Sequence, residues 1–236
     1  VEQLGGRYLT AEDVGTSVAD LGIVATSTEH VAGLAELSGA PSPATAWGVF
    51  HGIRAAVSHR LGKETLEGVS VAVQGVGHVG YYLCQYLAEA GAVLTIADID
   101  NEAVRHVAEQ FSAHTVSPDK IHDANVDVFA PCAMGAVIND ETMVRLKATI
   151  VAGSANNQLA ADHHGNALAA KGILYAPDYV INAGGIINIS HERPAYDQAA
   201  AWLHTAKIHD TLKDLFRKAD AAGMSPETMA DKLAEA

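Results

Sequence analysis

The sequence is poor in cysteine and in positive charge. Its two cysteines, Cys84 and Cys132, form no CxxC pair, so neither a disulfide framework nor a thiolate zinc site is expected. Lysine and arginine total 15 against 28 acidic residues, giving a formal net charge of −13. This balance argues against a nucleic-acid groove or an anionic membrane surface as a partner.

Long apolar runs are also missing. No run reaches the roughly 18 residues that a membrane span needs, and residues 1–7 show no signal-peptide pattern. A cytoplasmic protein is therefore the expectation. Hydrophobic residues nevertheless make up 49% of the 236-residue chain, which is enough for one large core, or for one domain plus part of another.

Two kinds of catalytic motif are absent from the sequence. The histidines show no HExxH-type spacing, and the adjacent pair His163-His164 is not expected to share a helix face, so no metal site is predicted. No serine or cysteine lies in a GxSxG context, so hydrolase chemistry has no support.

What the sequence does contain is an ordered series of elements over residues 69–98. A β-branched run, Val69–Gln74, is followed by the glycine turn Gly75–Gly80 and by a helical pattern that stops at Gly91. A second apolar run then ends on Asp98. The order of strand, glycine turn, helix, strand and acid is typical of dinucleotide-binding α/β proteins.

Each part of that series has a physical task. Gly75 permits a tight turn, Gly77 lets the backbone approach a pyrophosphate, and Gly80 allows close packing of the helix on the strand. The phosphates would lie on the N–H groups at the helix start, while Asp98 accepts hydrogen bonds from ribose hydroxyls. The remaining predicted cofactor contacts of this unit are Val76, His78, Val79 and Ile99.

Asp98 also predicts which cofactor binds. Its carboxylate would repel the extra phosphate of NADP, and no arginine follows it in residues 99–101, so NAD is predicted. The alternative is a Rossmann-like fold that has lost its nucleotide.

The rest of the chain alternates between predicted helices and strands. Ser42 is expected to cap a helix whose first residue is Pro43 and which ends at Gly62. Further helices are predicted at 102–111, at 140–146 after the cap Asn139, from 195 to a break at Gly223, and after Ser225. Strands are predicted at 126–130, 149–152, 173–176 and 179–181. This alternation predicts the α/β class, with a doubly wound, mostly parallel sheet, flanking helices and C-terminal helices.

Ligands of such sheets bind beyond the carboxyl ends of the strands. Small residues and amides occupy that position in three further segments, residues 130–133, 153–157 and 182–185. The predicted cofactor contacts there are Cys132, Ala133, Ala155, Asn156 and Asn182. Two alternatives stay open, namely that the asparagines and glycines are turn residues only, and that Cys132 is a packed small hydrophobe.

Several long motifs resemble one enzyme family. They are Thr10–Thr16 (TAEDVGT), Pro41–Thr45 (PSPAT), Ala72–Val79 (AVQGVGHV), Phe129–Gly135 (FAPCAMG), Gly153–Gln158 (GSANNQ) and Tyr175–Gly185 (YAPDYVINAGG). On these motifs the chain resembles the Glu/Leu/Phe/Val amino-acid dehydrogenases, and within them the leucine dehydrogenases. The resemblance implies NAD-dependent oxidative deamination of an L-amino acid to its 2-keto acid and ammonium.

The resemblance also implies roles for particular residues. It implies that Asp13 is catalytic together with a lysine, and that Thr45 and Asn156 lie near the nicotinamide carboxamide and the substrate amino group. Ala11, Ile186 and Ile189 match positions that line the substrate side-chain pocket, and their sizes favour an aliphatic, branched-chain substrate. One methylene in such a pocket is worth only about 1–3 kcal/mol, so phenylalanine or valine dehydrogenase remains an alternative.

The chain departs from the family pattern in one respect. Family members carry a glycine-rich segment and a catalytic lysine upstream of the position of Asp13, and no lysine here follows a GGxK-like motif. Residues 1–33 are therefore predicted to be a remnant of the substrate domain, 34–194 the NAD-binding domain, and 195–236 C-terminal helices that pack back on the domain interface. We expect the chain to bind NAD but to be inactive alone, the full enzyme being a homo-oligomer. The alternative is a catalytically inactive NAD-binding fragment.

Overall fold

The computed structural model describes residues 1–13, 15–35, 37–192 and 195–235. In this part of the chain six strands form one sheet in the order β3-β2-β1-β4-β5-β6, and every neighbouring pair is parallel. The strands are β1 Ser70–Gln74, β2 Val93–Ala97, β3 His114–Thr115, β4 Val128–Pro131, β5 Ile150–Val151 and β6 Leu174–Tyr175. The predicted doubly wound α/β fold is confirmed.

Helices surround this sheet and continue to the C-terminus. They are α1 Val18–Ala25, α2 Ser42–Leu61, α3 His78–Glu89, α4 Asn101–Phe111, α5 Asp140–Arg145, α6 His163–Ala170, α7 Asp178–Ile181, α8 Gly184–Ser190, α9 Gln198–Ala206, α10 Ile208–Ala222 and α11 Pro226–Ala234. Short 3₁₀ turns cover Glu2–Leu4 and Pro118–Asp123. Among the described helices, none is long and apolar enough to cross a membrane.

The helix α2 packs mainly against other helices. Its middle is buried, with Val49, Ile53 and Val57 fully inaccessible, and it packs against α3, α8 and α10. Gly52 permits a close approach of α7, because a Cβ atom there would lie only 2.4 Å from Cγ1 of Ile181. The helix ends at Gly62 as predicted, with φ +65°.

The strand order places a switch point between β1 and β4. From β1 the chain moves outward on one side to β2 and β3, and β4 then begins the other half of the sheet. Gln74 of β1 is in register with Pro131 of β4, so the loops that follow these strands emerge side by side. This is the crevice in which doubly wound proteins bind their ligands.

Three local predictions were wrong. Residues 179–181 are not a strand but belong to α7, since Ile181 donates its N–H to the carbonyl of Pro177 and packs against Gly52. The strand predicted at 126–130 instead spans Val128–Pro131, with Pro131 as its last residue. Ser42 is not a cap but the first residue of α2, which Pro41 precedes without a side-chain cap.

Candidate functional site

The glycine turn and the acid at the end of β2 are held together directly. The N–H of Gly75 donates to the carbonyl of Ala97 at 2.8 Å, and the N–H of Val76 donates to Oδ2 of Asp98 at 2.7 Å. The other carboxylate oxygen of Asp98 accepts from the N–H of Asp100 at 3.0 Å. The carboxylate of Asp98 therefore lies beside the turn, as the spacing predicted, and it accepts a hydrogen bond from the backbone of the turn.

The three glycines of the turn have different surroundings. Gly75 has φ +94°, and a Cβ atom there would lie 2.7 Å from Cβ of Ala133, so the loops after β1 and β4 are in contact. At Gly80 a Cβ atom would lie 2.0 Å from the carbonyl oxygen of Gly75. At Gly77, by contrast, a Cβ atom would have no heavy atom of the described residues within 4 Å apart from those of Gly77 and its two chain neighbours. The space over Gly77 is open to a ligand.

The start of α3 can receive an anion. Gly77 precedes the helix and offers no side-chain cap, so the first N–H groups of this 12-residue helix are available to a ligand. A cleft of about 370 Å³ lies here, lined by Val76, Gly77, His78, Tyr81 and Tyr82. Backbone donors, an open glycine and a neighbouring carboxylate are the groups that a dinucleotide requires. The residues present therefore fit NAD.

The loop after β5 forms hydrogen bonds with the segments beside it. Ala155 donates its N–H to the carbonyl of Pro131 at 2.9 Å. Asn182 donates its side-chain amide to Oδ1 of Asn156 at 2.6 Å and to the carbonyl of Ser154 at 3.2 Å. The structure thus brings the predicted residues Asn156 and Asn182 together at the carboxyl edge of the sheet.

Gln158 supports this loop and was missed by the sequence reasoning. Its side chain is completely buried, and its amide donates to the carbonyls of Gly153 at 2.9 Å and Ala155 at 3.0 Å. The backbone N–H of Gln158 donates to Asp178, which also accepts from the hydroxyl of Tyr175. A glutamine inside an Asn-Gln turn sequence gives no local indication that it is buried.

Cys132 lies between the two halves of the sheet. Its N–H donates to the carbonyl of Gln74 at 2.7 Å, and burial raises the pKa of its thiol. A raised pKa lowers the fraction of reactive thiolate. The side chain of Cys132 is partly buried and packs against the hydrophobic core.

The glycine pair at residues 184 and 185 has a different role from the predicted one. It does not form a loop but begins α8, where a Cβ atom at Gly184 would lie 2.3 Å from the carbonyl oxygen of Ala44. At Gly185 a Cβ atom would lie 2.6 Å from Oγ1 of Thr45, which itself donates to the carbonyl of Pro41 at 3.1 Å. These glycines allow α8 to contact α2 closely.

The N-terminal segment is attached to the end of α8 through a buried carboxylate. Glu192 accepts from the N–H of Gly33 at 2.8 Å and from the N–H and hydroxyl of Ser38. The same helix carries Ile186, which is 77% exposed, and the half-buried Ile189. Glu192 gave no indication of this role in the sequence, because its partners are more than 150 residues away.

The N-terminal residues with predicted roles lie near the surface. Asp13 is exposed, and its N–H donates to Oγ1 of Thr16 at 3.0 Å, while Ala11 is half-buried. Thr10 pairs with the segment around Val31 through two backbone hydrogen bonds.

A second cleft, also of about 370 Å³, lies away from the switch point. It is lined by Asp162, His163, Asn166, Glu227, Thr228 and Asp231. Burial and the neighbouring carboxylates of Asp231, Asp178 and Asp162 raise the pKa of Glu227 to about 7. The folded protein thus favours the protonated form of this side chain.

This raised pKa predicts a pH-dependent stability. The pKa of Glu227 is 4.5 in the unfolded chain and about 7 in the folded protein. At a pH between these two values, the folded state therefore binds more protons than the unfolded state. The stabilisation from Glu227 is therefore present below about pH 4.5 and is lost as the pH rises to about 7. We expect Glu227→Gln to reduce the loss of unfolding free energy between pH 5 and pH 8, as measured by urea denaturation. Glu109→Gln, on the exposed face of α4, is the control; equal pH profiles for all three proteins would contradict the assignment.

The described architecture defines the class of protein. It is a doubly wound α/β protein of the Rossmann type, with a glycine turn and an acid at its switch point. The family model for the Glutamate/Leucine/Phenylalanine/Valine dehydrogenases matches residues 38–104 and 93–228. The chain belongs to this family.

Individual relatives agree with this assignment. The chain is 49% identical over its whole length to a leucine dehydrogenase from Thermoactinomyces intermedius and 44% identical to an L-tryptophan dehydrogenase from Nostoc punctiforme. The crystal structure of L-tryptophan dehydrogenase from Nostoc punctiforme superposes with a TM-score of 0.87 at 42% identity, covering 99% of this chain and 68% of that one. This chain spans 65% of the length of the leucine dehydrogenase and 67% of that of the tryptophan dehydrogenase.

Proposed function

We propose that this chain forms the NAD-binding part of an L-amino-acid dehydrogenase that acts on CH–NH₂ groups. The observation that carries the proposal is the unit of β1, glycine turn, α3, β2 and Asp98 at the switch point. This unit lies in a chain of the amino-acid dehydrogenase family.

Different groups of the protein would contact different parts of NAD. The N–H groups at the start of α3 and the open backbone at Gly77 hold the pyrophosphate, and Asp98 accepts from the adenosine ribose. The loop that carries Ala155 and Asn156 positions the carboxamide end, since Pro131, Gln158 and Asn182 fix its backbone. When bound there, NAD⁺ would supply the hydride acceptor for oxidation of an amino acid at Cα.

The proposed substrate is an aliphatic, branched-chain L-amino acid. Ala11, Ile186 and Ile189 supply a small and two branched apolar side chains, and Ile186 is exposed enough to contact a substrate. Related chains are named for leucine, tryptophan and phenylalanine, so an aromatic substrate is the second candidate. We propose Asp13 as the catalytic acid–base residue, acting with a lysine of the whole enzyme.

These 236 residues contain no lysine in a GGxK-like motif, and proton transfer at the imine needs a group within hydrogen-bond distance. We therefore propose that this stretch binds NAD without turnover. On the family resemblance alone, we also propose that the whole enzyme is a homo-oligomer.

The test is a paired measurement on this chain. Calorimetry measures NAD and NADP binding, and absorbance measures NADH formation with L-leucine, L-valine, L-phenylalanine and L-tryptophan. We expect NAD to bind more tightly than NADP, and no NADH to form. Turnover would contradict the proposed inactivity, and its substrate profile would then identify the amino acid. Failure of NAD to bind would overturn the cofactor assignment.

A further inference from the structure

Two imidazoles and one carboxylate meet between α5 and α6. Nε2 of His164 lies 3.3 Å from Oδ1 of Asp140, and Nε2 of His163 lies 4.0 Å from the same oxygen. The two rings are 4.1 Å apart between centroids, contrary to the expectation that adjacent histidines point in different directions. Asp140, His163 and His164 each have one side-chain oxygen or ring nitrogen that lies within 4.8 Å of the corresponding atoms of the other two.

We propose that Asp140, His163 and His164 bind a divalent transition-metal ion of the zinc class. Two neutral imidazoles with one carboxylate suit Zn²⁺, Ni²⁺ or Cu²⁺, whereas Mg²⁺ and Ca²⁺ prefer all-oxygen sites. The observed separations require only small side-chain movements to give zinc bonds of about 2.0–2.2 Å. Asp140 is highly exposed, so a water molecule can complete a four-coordinate site.

The backbone of Ala161 contacts the second ring nitrogen of His164. The ring is buried, and its Nδ1 lies 3.0 Å from the nitrogen and 3.1 Å from the carbonyl oxygen of Ala161. Nδ1 accepts from the N–H in one tautomer and donates to the carbonyl in the other, and the second tautomer leaves Nε2, which faces Asp140, with a lone pair for a metal. A backbone carbonyl that fixes the second nitrogen is the usual outer partner of a metal-bound histidine.

Asp140 is not needed to begin its helix. Asn139 is the cap of α5 and accepts from the N–H groups of Glu141 and Thr142 through its side chain. The carboxylate of Asp140 is therefore available to a cation. An ion here would join α5 to α6, the two helices that follow β4 and β5, and would stabilise the folded state.

The test is zinc titration of the untagged chain by calorimetry and thermal denaturation. At a zinc concentration of about 100 times Kd, we expect Tm to rise by about 5–10 °C. His163→Ala removes an exposed ring, and Asp140→Asn keeps the shape of the side chain. We expect each variant to lower zinc affinity by about tenfold or more while leaving Tm without zinc within about 2 °C of the parent.

A second histidine pair supplies the matched control. Nε2 of His191 lies 2.9 Å from Nδ1 of His204 on another part of the surface, without a third ligand among the described residues. We expect His204→Ala to keep full zinc affinity. Loss of binding in His204→Ala, unchanged affinity in both His163→Ala and Asp140→Asn, or no binding at millimolar zinc would overturn the proposal.

Discussion

Gly77→Val is expected to weaken NAD binding by about 100-fold or more without unfolding the protein. Apart from Gly77 and its two chain neighbours, no heavy atom of the described residues lies within 4 Å of a Cβ at this position, and φ is −65°, so the protein itself accepts a side chain here. The valine would instead occupy the space over the first N–H groups of α3, where the proposed pyrophosphate lies. Losing charge-assisted hydrogen bonds of this kind lowers affinity by about 100-fold or more, or about 2.7 kcal/mol.

Calorimetry and urea denaturation together check this result. The free energy of unfolding should change by less than about 1 kcal/mol, since only a helix-cap glycine is replaced. Gly22→Ala is the matched control, because that glycine lies in α1, away from the switch point. A Cβ atom there would have no heavy atom of the described residues within 4 Å beyond its chain neighbours and the backbone of its own helix. NAD affinity retained in Gly77→Val would show that the pyrophosphate does not lie on this glycine.

Gly80→Ala is expected to destabilise the folded protein strongly, whereas Gly77→Val mainly weakens NAD binding. Its Cβ would lie 2.0 Å from the carbonyl oxygen of Gly75 and 3.7 Å from Cβ of Cys132. Backbone atoms cannot rotate away as a side-chain end can, so α3 would have to move off β1. Such overpacking in a closely packed interior costs about 3 kcal/mol.

Urea denaturation measures that loss directly, and NAD affinity should fall with it because the turn is displaced. The contrast with Gly77→Val separates a glycine needed for packing from one needed for a ligand. A Gly80→Ala protein with the stability of the parent would mean that α3 lies farther from the turn than its described position.

The central unit could be predicted from sequence because its evidence is local. The apolar run of β1, the glycine spacing and the acid at Asp98 are all within 30 residues, and the structure joins Val76 to Asp98 as that spacing required. Helix ends were predictable for the same reason. Gly62 and Gly223 both have φ above +60°, and Asn139 caps α5 through its own side chain.

Other predictions failed where distant residues determine the conformation. A β-branched segment at 179–181 has strand propensity, yet it is helical because Ile181 fills the space beside Gly52 of α2. The glycines at 184 and 185 resemble a ligand loop, but their lack of side chains serves the contact of α8 with α2. Secondary-structure propensity is weaker than such tertiary packing.

The sequence by itself therefore determined the α/β class, the strand–turn–helix unit and the position of its acid, because periodicity and glycine spacing act over a few residues. Only the tertiary structure decided that Glu192 joins residues 33 and 38 and that Gln158 supports the loop at 153–157. It also decided that His163 and His164 face Asp140. The physical reason is that a buried polar side chain takes its role from its hydrogen-bond partners, and chain folding brings those partners from distant positions.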